Sequence, residues 1–367
     1  MATEPRARRG YLVVADISGY TSFLSGTELE HAQAIIEELT ALIRARLTPP
    51  LRFVKLEGDA VLCYADGATF AVGERLIEVL EVCYFEFSSR LFDMARATTC
   101  PCAACASIDT LDLKFVAHYG TFVVRPTDGM EDLAGPDVIL VHRMLKNSIT
   151  DRTGCRAYVF FTDACLARMP GSLALPRHSE TYESLGETLG GVHDLKPVLD
   201  EMRGAAREYI SAEEADFEIA AEGPSPPAVV WQYCVDAEKR ARWVLNEKSV
   251  EYQPNARGRI GAGATSHCAH RLGADALRHY VDWRPFSYFT NSMLSPKGEP
   301  VWTEMYEFHA RDDGGTSGLV RIRLARRTLL ARLMFRFVTR PLLRFLFGRA
   351  IAKLMRVIEE DMAAAGT

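Results

Sequence analysis

Residues 12–15 form an unbroken apolar run, and the chain then turns polar at Asp16 and small and flexible at Ser18, Gly19, Tyr20 and Thr21. An apolar run without alternation predicts a buried strand, here one with a carboxylate at its end. Leu29, Ala32, Ile36, Leu39 and Ile43 recur at helical spacing, and Pro49 and Pro50 end that helix. Residues 51–65 predict two short strands around Glu57, Gly58 and Asp59, residues 69–96 a second helix, and residues 111–125 a further strand. A helix over 137–148 and a strand from about residue 156 follow. The order β-α-β-β-α-β predicts an α+β domain with a helix-covered mixed or antiparallel sheet. The texture changes around an acidic stretch and Pro224, Pro226 and Pro227, which places a boundary near residue 210. Beyond it, short alternating or apolar segments read as hairpin-linked strands, closed by a long helix from about Thr328.

Composition changes this picture in three ways. A chain of 367 residues with 48% hydrophobic content suits two domains, each with its own core. A formal net charge of −5 argues against a general nucleic-acid binder. Nine cysteines at irregular spacing in a chain of this length do not look like a secreted disulfide framework. With no long apolar stretch after the basic N-terminus and no run of the ~20 apolar residues that span a bilayer, the expected location is the cytoplasm.

Candidate chemistry starts from Asp16 and Asp59. A strand-end acid and a hairpin-tip acid on neighbouring strands supply the hard oxygen ligands that a divalent cation takes. Small residues after Asp16 let backbone N–H groups approach an anion. Taken singly, each acid also reads as an ordinary capping or turn residue. The segments VVADISGYTSF and FVKLEGDAVLCY together resemble the two metal-site motifs of class III nucleotidyl (adenylate/guanylate) cyclases, over about residues 10–200. That resemblance implies a ferredoxin-like nucleotidyl cyclase fold over 8–205, Mg²⁺ or Mn²⁺ on Asp16 and Asp59 with help from the Ile17 carbonyl, and Lys55 and Asp132 on the purine. It also implies Arg143 on the phosphorus transition state, Gly19, Tyr20 and Thr21 beside the phosphates, a homodimer, and a purine nucleoside triphosphate as partner, ATP before GTP. Ile139 stands where the family carries a ribose-orienting asparagine, and no late phosphate-contacting lysine is found in residues 180–191.

Cys100, Cys102 and Cys105 form a C-x-C-x-x-C array suited to zinc or an iron–sulfur cluster, with His118, His142 or a second chain's cysteine as candidate fourth ligand; free thiols are the alternative. The array is similar to that of a bacterial family of unknown function with a cyclase-like domain. Residues 213–365 resemble the START-like (polyketide cyclase-like) superfamily, which implies a helix-grip fold and an apolar or lipid-like ligand. Trp231, Trp243, Trp283, Trp302, Tyr288 and Phe289 are candidate cavity or core residues, and His267, His270 and His279 candidate ligand contacts. Residues 321–357 contain no acid, while Arg332, Arg336, Arg340 and Arg344 recur every fourth residue. This pattern fits either an anionic membrane surface or the fold's own closing helix, and Pro341 is expected to kink or interrupt it.

Overall fold

The computed structural model describes residues 7–70, 73–97, 102–127, 130–169, 173–204, 207–245, 247–255, 258–270, 276–295, 298–325 and 334–365. The chain is α+β and divides into two compact units, residues 1–205 and 206–367. No described helix is long and apolar enough to cross a membrane.

The N-terminal unit begins with β1 (Ala7–Ser18), α1 (Tyr20–Ser25), α2 (Leu29–Leu47), the hairpin β2 (Arg52–Glu57) and β3 (Ala60–Asp66), and α3 (Glu74–Ala97). It continues through α4 (Ala103–Ala106), β4 (Asp112–Thr127), β5 (Met130–Ala134), α5 (Pro136–Met144), α6 (Ile149–Thr153), β6 (Tyr158–Thr162) and α7 (Asp163–Leu166). The hairpin β7 (Arg177–Tyr182) and β8 (Gly186–Asp194) and then α8 (Lys196–Gly204) close it. The sheet order is β2-β3-β1-β4-β6-β8-β7, with β5 on the end of β4; among the described residues only β4 and β6 pair in parallel. β1 lies inside this sheet, and Tyr11, Leu12, Val13, Val14 and Ala15 are all fully buried. Both faces are covered, which is why the strand reads as continuous rather than alternating. One face packs Leu12, Val14, Leu62 and Val116 against Val138, Val141 and Met144 of α5. On α2, Ala32, Ile36, Leu39 and Ile43 are buried; this helix packs on α3 and β3.

Two details fix α5 and the hairpin tip. Asp137, in the first turn of α5, accepts the Thr121 N–H at 2.6 Å, and a Cβ on Gly120 would come within 2.7 Å of Asp137 Cβ. Gly120 is therefore the condition for this docking. Gly58, at φ +65°, takes the first place of the two-residue turn joining β2 to β3, a position that glycine adopts without steric cost.

The C-terminal unit contains β9 (Phe217–Gly223), α9 (Pro227–Val235), α10 (Ala237–Trp243), β10 (Glu247–Gln253), β11 (Thr265–His270), β12 (Ala276–Arg284), β13 (Tyr288–Leu294), β14 (Pro300–Ala310), β15 (Thr316–Leu324) and α11 (Arg340–Ala365). Its seven strands form one antiparallel sheet, β10-β11-β12-β13-β14-β15-β9. With Ala350, Leu354, Val357 and Ile358 of α11 buried in the same core as sheet residues, this is a helix-grip arrangement. Trp231, fully buried on α9, meets Trp283, Phe286, Phe289 and Phe308 edge-on at 5.1–5.8 Å between ring centres. A π-helical turn, Phe335–Thr339, runs directly into α11, whose second residue is Pro341. The predicted interruption is there, as a widened turn.

Candidate functional site

Three neighbouring strands bring the acids together. Near its end β1 carries Asp16, between β3, which starts right after Asp59, and β4, where Lys114 stands directly opposite Asp16. Asp59 Oδ2 accepts the Ile17 N–H at 3.1 Å. Asp59 is only 8% exposed, and its carboxyl is pushed up to about 6, first by burial and then by the charge of Asp16. Lys114 Nζ lies 3.1 Å from Asp16 Oδ2 and donates to the Leu145 carbonyl at 3.3 Å. The acids thus form one cluster with a fixed ammonium at its side. Two carboxylates and a backbone carbonyl are hard oxygen donors, a set that fits Mg²⁺ or Mn²⁺. Ile17 itself is buried; Gly19, Tyr20 and Thr21 follow at the start of α1, Gly19 at φ +91° with Thr110 O 3.1 Å from where its Cβ would stand.

The residues assigned to the purine also meet. Lys55 Nζ lies 3.0 Å from Glu57 Oε1 and 3.2 Å from Asp132 Oδ1, and these carboxylates, Glu57 first, hold the ammonium above its ordinary range. His142 Nδ1 reaches the other oxygen of Glu57 at 3.0 Å. Arg143 is exposed on α5, one turn from Ile139, which is 54% exposed. Asn147, eight residues beyond Ile139, is engaged with the protein itself. Its Oδ1 accepts the Tyr158 hydroxyl at 2.9 Å and the Ile149 N–H at 3.0 Å.

Cys102 and Cys105 are half-buried, while Cys100 lies outside the described residues. The histidines nominated as their partners are elsewhere. His118 Nδ1 is 2.9 Å from Thr162 Oγ1, its Nε2 3.3 Å from Asp137, and His142 serves Glu57. The neighbour is His31 of α2, whose Nδ1 is 3.2 Å from Cys102 Sγ. Sequence reading missed both His31 and Lys114. Lys114 did leave a signal, as a lone cation inside an apolar strand; His31, 71 residues from its cysteine, left none.

In the C-terminal unit a cavity of about 470 Å³ is walled by Trp243, Met293, Trp302, Leu343 and Phe347, with Arg240, Arg278 and Glu304 as its charged lining. Trp231, Trp283 and Phe289 belong instead to the packed core, and Tyr288 donates its hydroxyl to Asp282. His267 is exposed and His279 half-buried, and neither lines this cavity; the side chain of His270 lies outside the described set. Before its gripping half, the C-terminal helical segment exposes Met334, Phe337, Val338, Leu342 and Phe345 among Arg336, Arg340 and Arg344. Arg332 lies outside the described residues.

A family model described as a protein of unknown function, DUF2652, matches residues 35–153, which takes in Lys55, Asp59, the cysteines, Asp132 and Arg143 but begins after Asp16 and His31. The uncharacterized protein Rv2561/Rv2562 of Mycobacterium tuberculosis is 35% identical over 143 residues, 38% of this chain and 63% of that protein. The chain thus spans under two thirds of that relative's length. Among solved structures, the adenylyl cyclase CyaB from P. aeruginosa is similar over 52% of this chain and 97% of its own, at 13% identity and a TM-score of 0.40. The Staphylococcus aureus protein SA2116, of unknown function, is similar over 40% and 95%, at 16% identity and a TM-score of 0.33.

Proposed function

We propose that the N-terminal unit binds a purine nucleoside triphosphate with a divalent cation and is arranged to cyclise it, ATP to cyclic AMP and pyrophosphate. The observation that carries this reading is the pairing of Asp16 with a buried Asp59 whose carboxyl is pushed up to about 6. Adjacent acids cost folding free energy, and a ligand that needs both explains why the chain bears that cost. A bound ion would neutralise phosphate charge and activate the attacking hydroxyl. The chain's own residues do the rest. Asp16 and Asp59 hold the ion, Lys55 and Asp132 present a donor and an acceptor to the purine edge, and the loop at Gly19 lies beside the phosphates. In the arrangement that the cyclase resemblance implies, Arg143, exposed on α5, acts on the nucleotide of a second copy in a homodimer.

A second reading, nucleotide binding without turnover, is favoured by Lys114 and Ile139. Lys114 already neutralises Asp16, and Ile139 offers no hydrogen bond to a ribose, where positioning carries much of the rate. Cyclic-nucleotide production from ATP or GTP with Mn²⁺, beside Asp16→Ala and Asp59→Ala, separates the two. Product lost in both variants supports the cyclase. Mn²⁺-dependent binding without product supports the second reading, and neither binding nor product refutes both.

For the C-terminal unit the cavity supports binding of an apolar acid. Its volume is that of a small-molecule site, and a lining with two guanidinium groups to one carboxylate suits an anionic head on an aliphatic or aromatic body. Trp243 and Trp302 line the cavity, so intrinsic fluorescence reports occupancy. A long-chain fatty acid is expected to bind about tenfold or more tightly than the matching alcohol, and equal binding refutes the assignment of the head group.

A further inference from the structure

The loop between α3 and β4 carries a second site, independent of the nucleotide reading. Cys102 precedes α4, and its Sγ accepts the Cys105 N–H at 3.4 Å, which turns the two thiols of this C-x-x-C segment to the same side. From the other side α2 delivers His31, with Nδ1 3.2 Å from Cys102 Sγ. The ligating atoms of His31, Cys102 and Cys105 all lie within 4.8 Å of one another. Zinc bonds of about 2.3 Å to sulfur and 2.0–2.1 Å to nitrogen, set tetrahedrally, need N···S near 3.6 Å and S···S near 3.8 Å. The His31–Cys102 distance of 3.2 Å is a few tenths of an ångström short of the first value, and the 4.8 Å limit on every pair leaves room for both. Glu28, immediately before α2, accepts the Ala104 N–H at 3.1 Å, so a second contact holds α4 against α2 without using any of the three ligands.

We propose that His31, Cys102 and Cys105 bind one zinc ion per chain. Two thiolates and an imidazole select zinc over the hard Mg²⁺ or Mn²⁺ suited to Asp16 and Asp59, so the two sites take different metals. The fourth position falls to water. The ion is a staple between elements far apart in the chain. The segment it fastens runs through the turn Ile108–Thr110 into β4. The Thr110 carbonyl accepts from Arg156 Nη2 at 2.6 Å and backs directly onto Gly19. Zinc therefore steadies the floor under the candidate anion loop without touching the ligand there.

The test is metal analysis of the full-length chain purified under reducing conditions without chelator, with Co²⁺ exchanged for zinc as a spectroscopic probe. About one zinc per chain is expected, with cobalt giving tetrahedral d–d bands and a thiolate-to-cobalt charge-transfer band. Cys102→Ser and Cys105→Ser should each lose the charge-transfer intensity of one thiolate, and His31→Ala should weaken zinc binding at least about tenfold. Circular dichroism on each variant checks that the fold is retained. Absence of stoichiometric zinc together with no thiolate-to-cobalt band overturns the proposal, as does unchanged zinc in a folded Cys102→Ser/Cys105→Ser double variant. Iron with a cluster chromophore in place of zinc overturns the assignment of the metal.

Discussion

Asp59→Asn isolates the cost of holding two acids together. The Asp59 carboxyl moves from 3.8 to about 6 in the folded chain, through burial first and Asp16 second. Between those values the unfolded chain has released a proton that the folded chain keeps. Stability therefore falls as pH rises from about 4 to about 6, and stays lowered above it. Roughly two pH units at about 1.4 kcal/mol each amount to about 3 kcal/mol at neutral pH. Asparagine keeps the size and an oxygen for the Ile17 N–H, but it brings no charge into the site. The variant should be more stable than the parent by about 2–3 kcal/mol at pH 7.5 and indistinguishable near pH 4. Urea unfolding across that range, without divalent ions, measures it. All four tryptophans, Trp231, Trp243, Trp283 and Trp302, belong to the C-terminal unit. Fluorescence therefore follows that unit alone, and far-ultraviolet circular dichroism adds the other. A difference that ignores pH, or a variant less stable at pH 7.5, would refute the reasoning.

Lys114→Met removes a cation 3.1 Å from Asp16, and Mn²⁺ affinity measured by calorimetry without nucleotide should rise about tenfold to hundredfold; unchanged affinity would show that the ammonium does not oppose the ion. Gly120→Ala forces Asp137 away from the Thr121 N–H and should cost about 1–3 kcal/mol of stability; an unaltered thermal midpoint would show that α5 does not dock through Asp137. Replacing Arg336, Arg340 and Arg344 together by glutamate should abolish cosedimentation with phosphatidylserine vesicles, at about 1 kcal/mol per basic residue. Equal binding of the parent to neutral vesicles would count against an electrostatic membrane contact.

The elements that read most clearly in the sequence are those in which a single physical demand dominates. The run at residues 12–15 must be buried on both faces, and α2 repeats its apolar residues at 3.6 because one side faces the sheet. The hairpin β7–β8 left no such mark. It sits at the sheet edge, where Glu180, Glu187 and Leu189 alternate with no consistent apolar face, and Gly190 and Gly191 are required by close contacts with Phe161 and Leu175. At the candidate site, Asp16 and Asp59 were legible from their turns and their separation by one helix. Lys114 was not, because strand register decides which residue faces Asp16, and register is a property of paired strands. His31 needed the docking of α4 on α2 before it became a neighbour of Cys102. In the C-terminal unit the aromatic residues were evident, but their division between core and cavity depended on which strand face each one occupies.

The ladder between β1 and β4 runs the full twelve residues of β1, from Ala7 to Ser18. Over its centre, Tyr11 to Ala15 are buried on both faces, so sliding one strand by a residue would still bury apolar side chains. Hydrophobicity alone is thus nearly blind to misalignment in this part of the sheet. Asp16 and Lys114 are not. A slip in either direction would set Asp16 against Leu113 or Phe115, both fully buried, and leave the ammonium without its carboxylate. The ion pair therefore works as a proofreading mark, favouring one alignment of the two longest strands of the N-terminal unit over its neighbours.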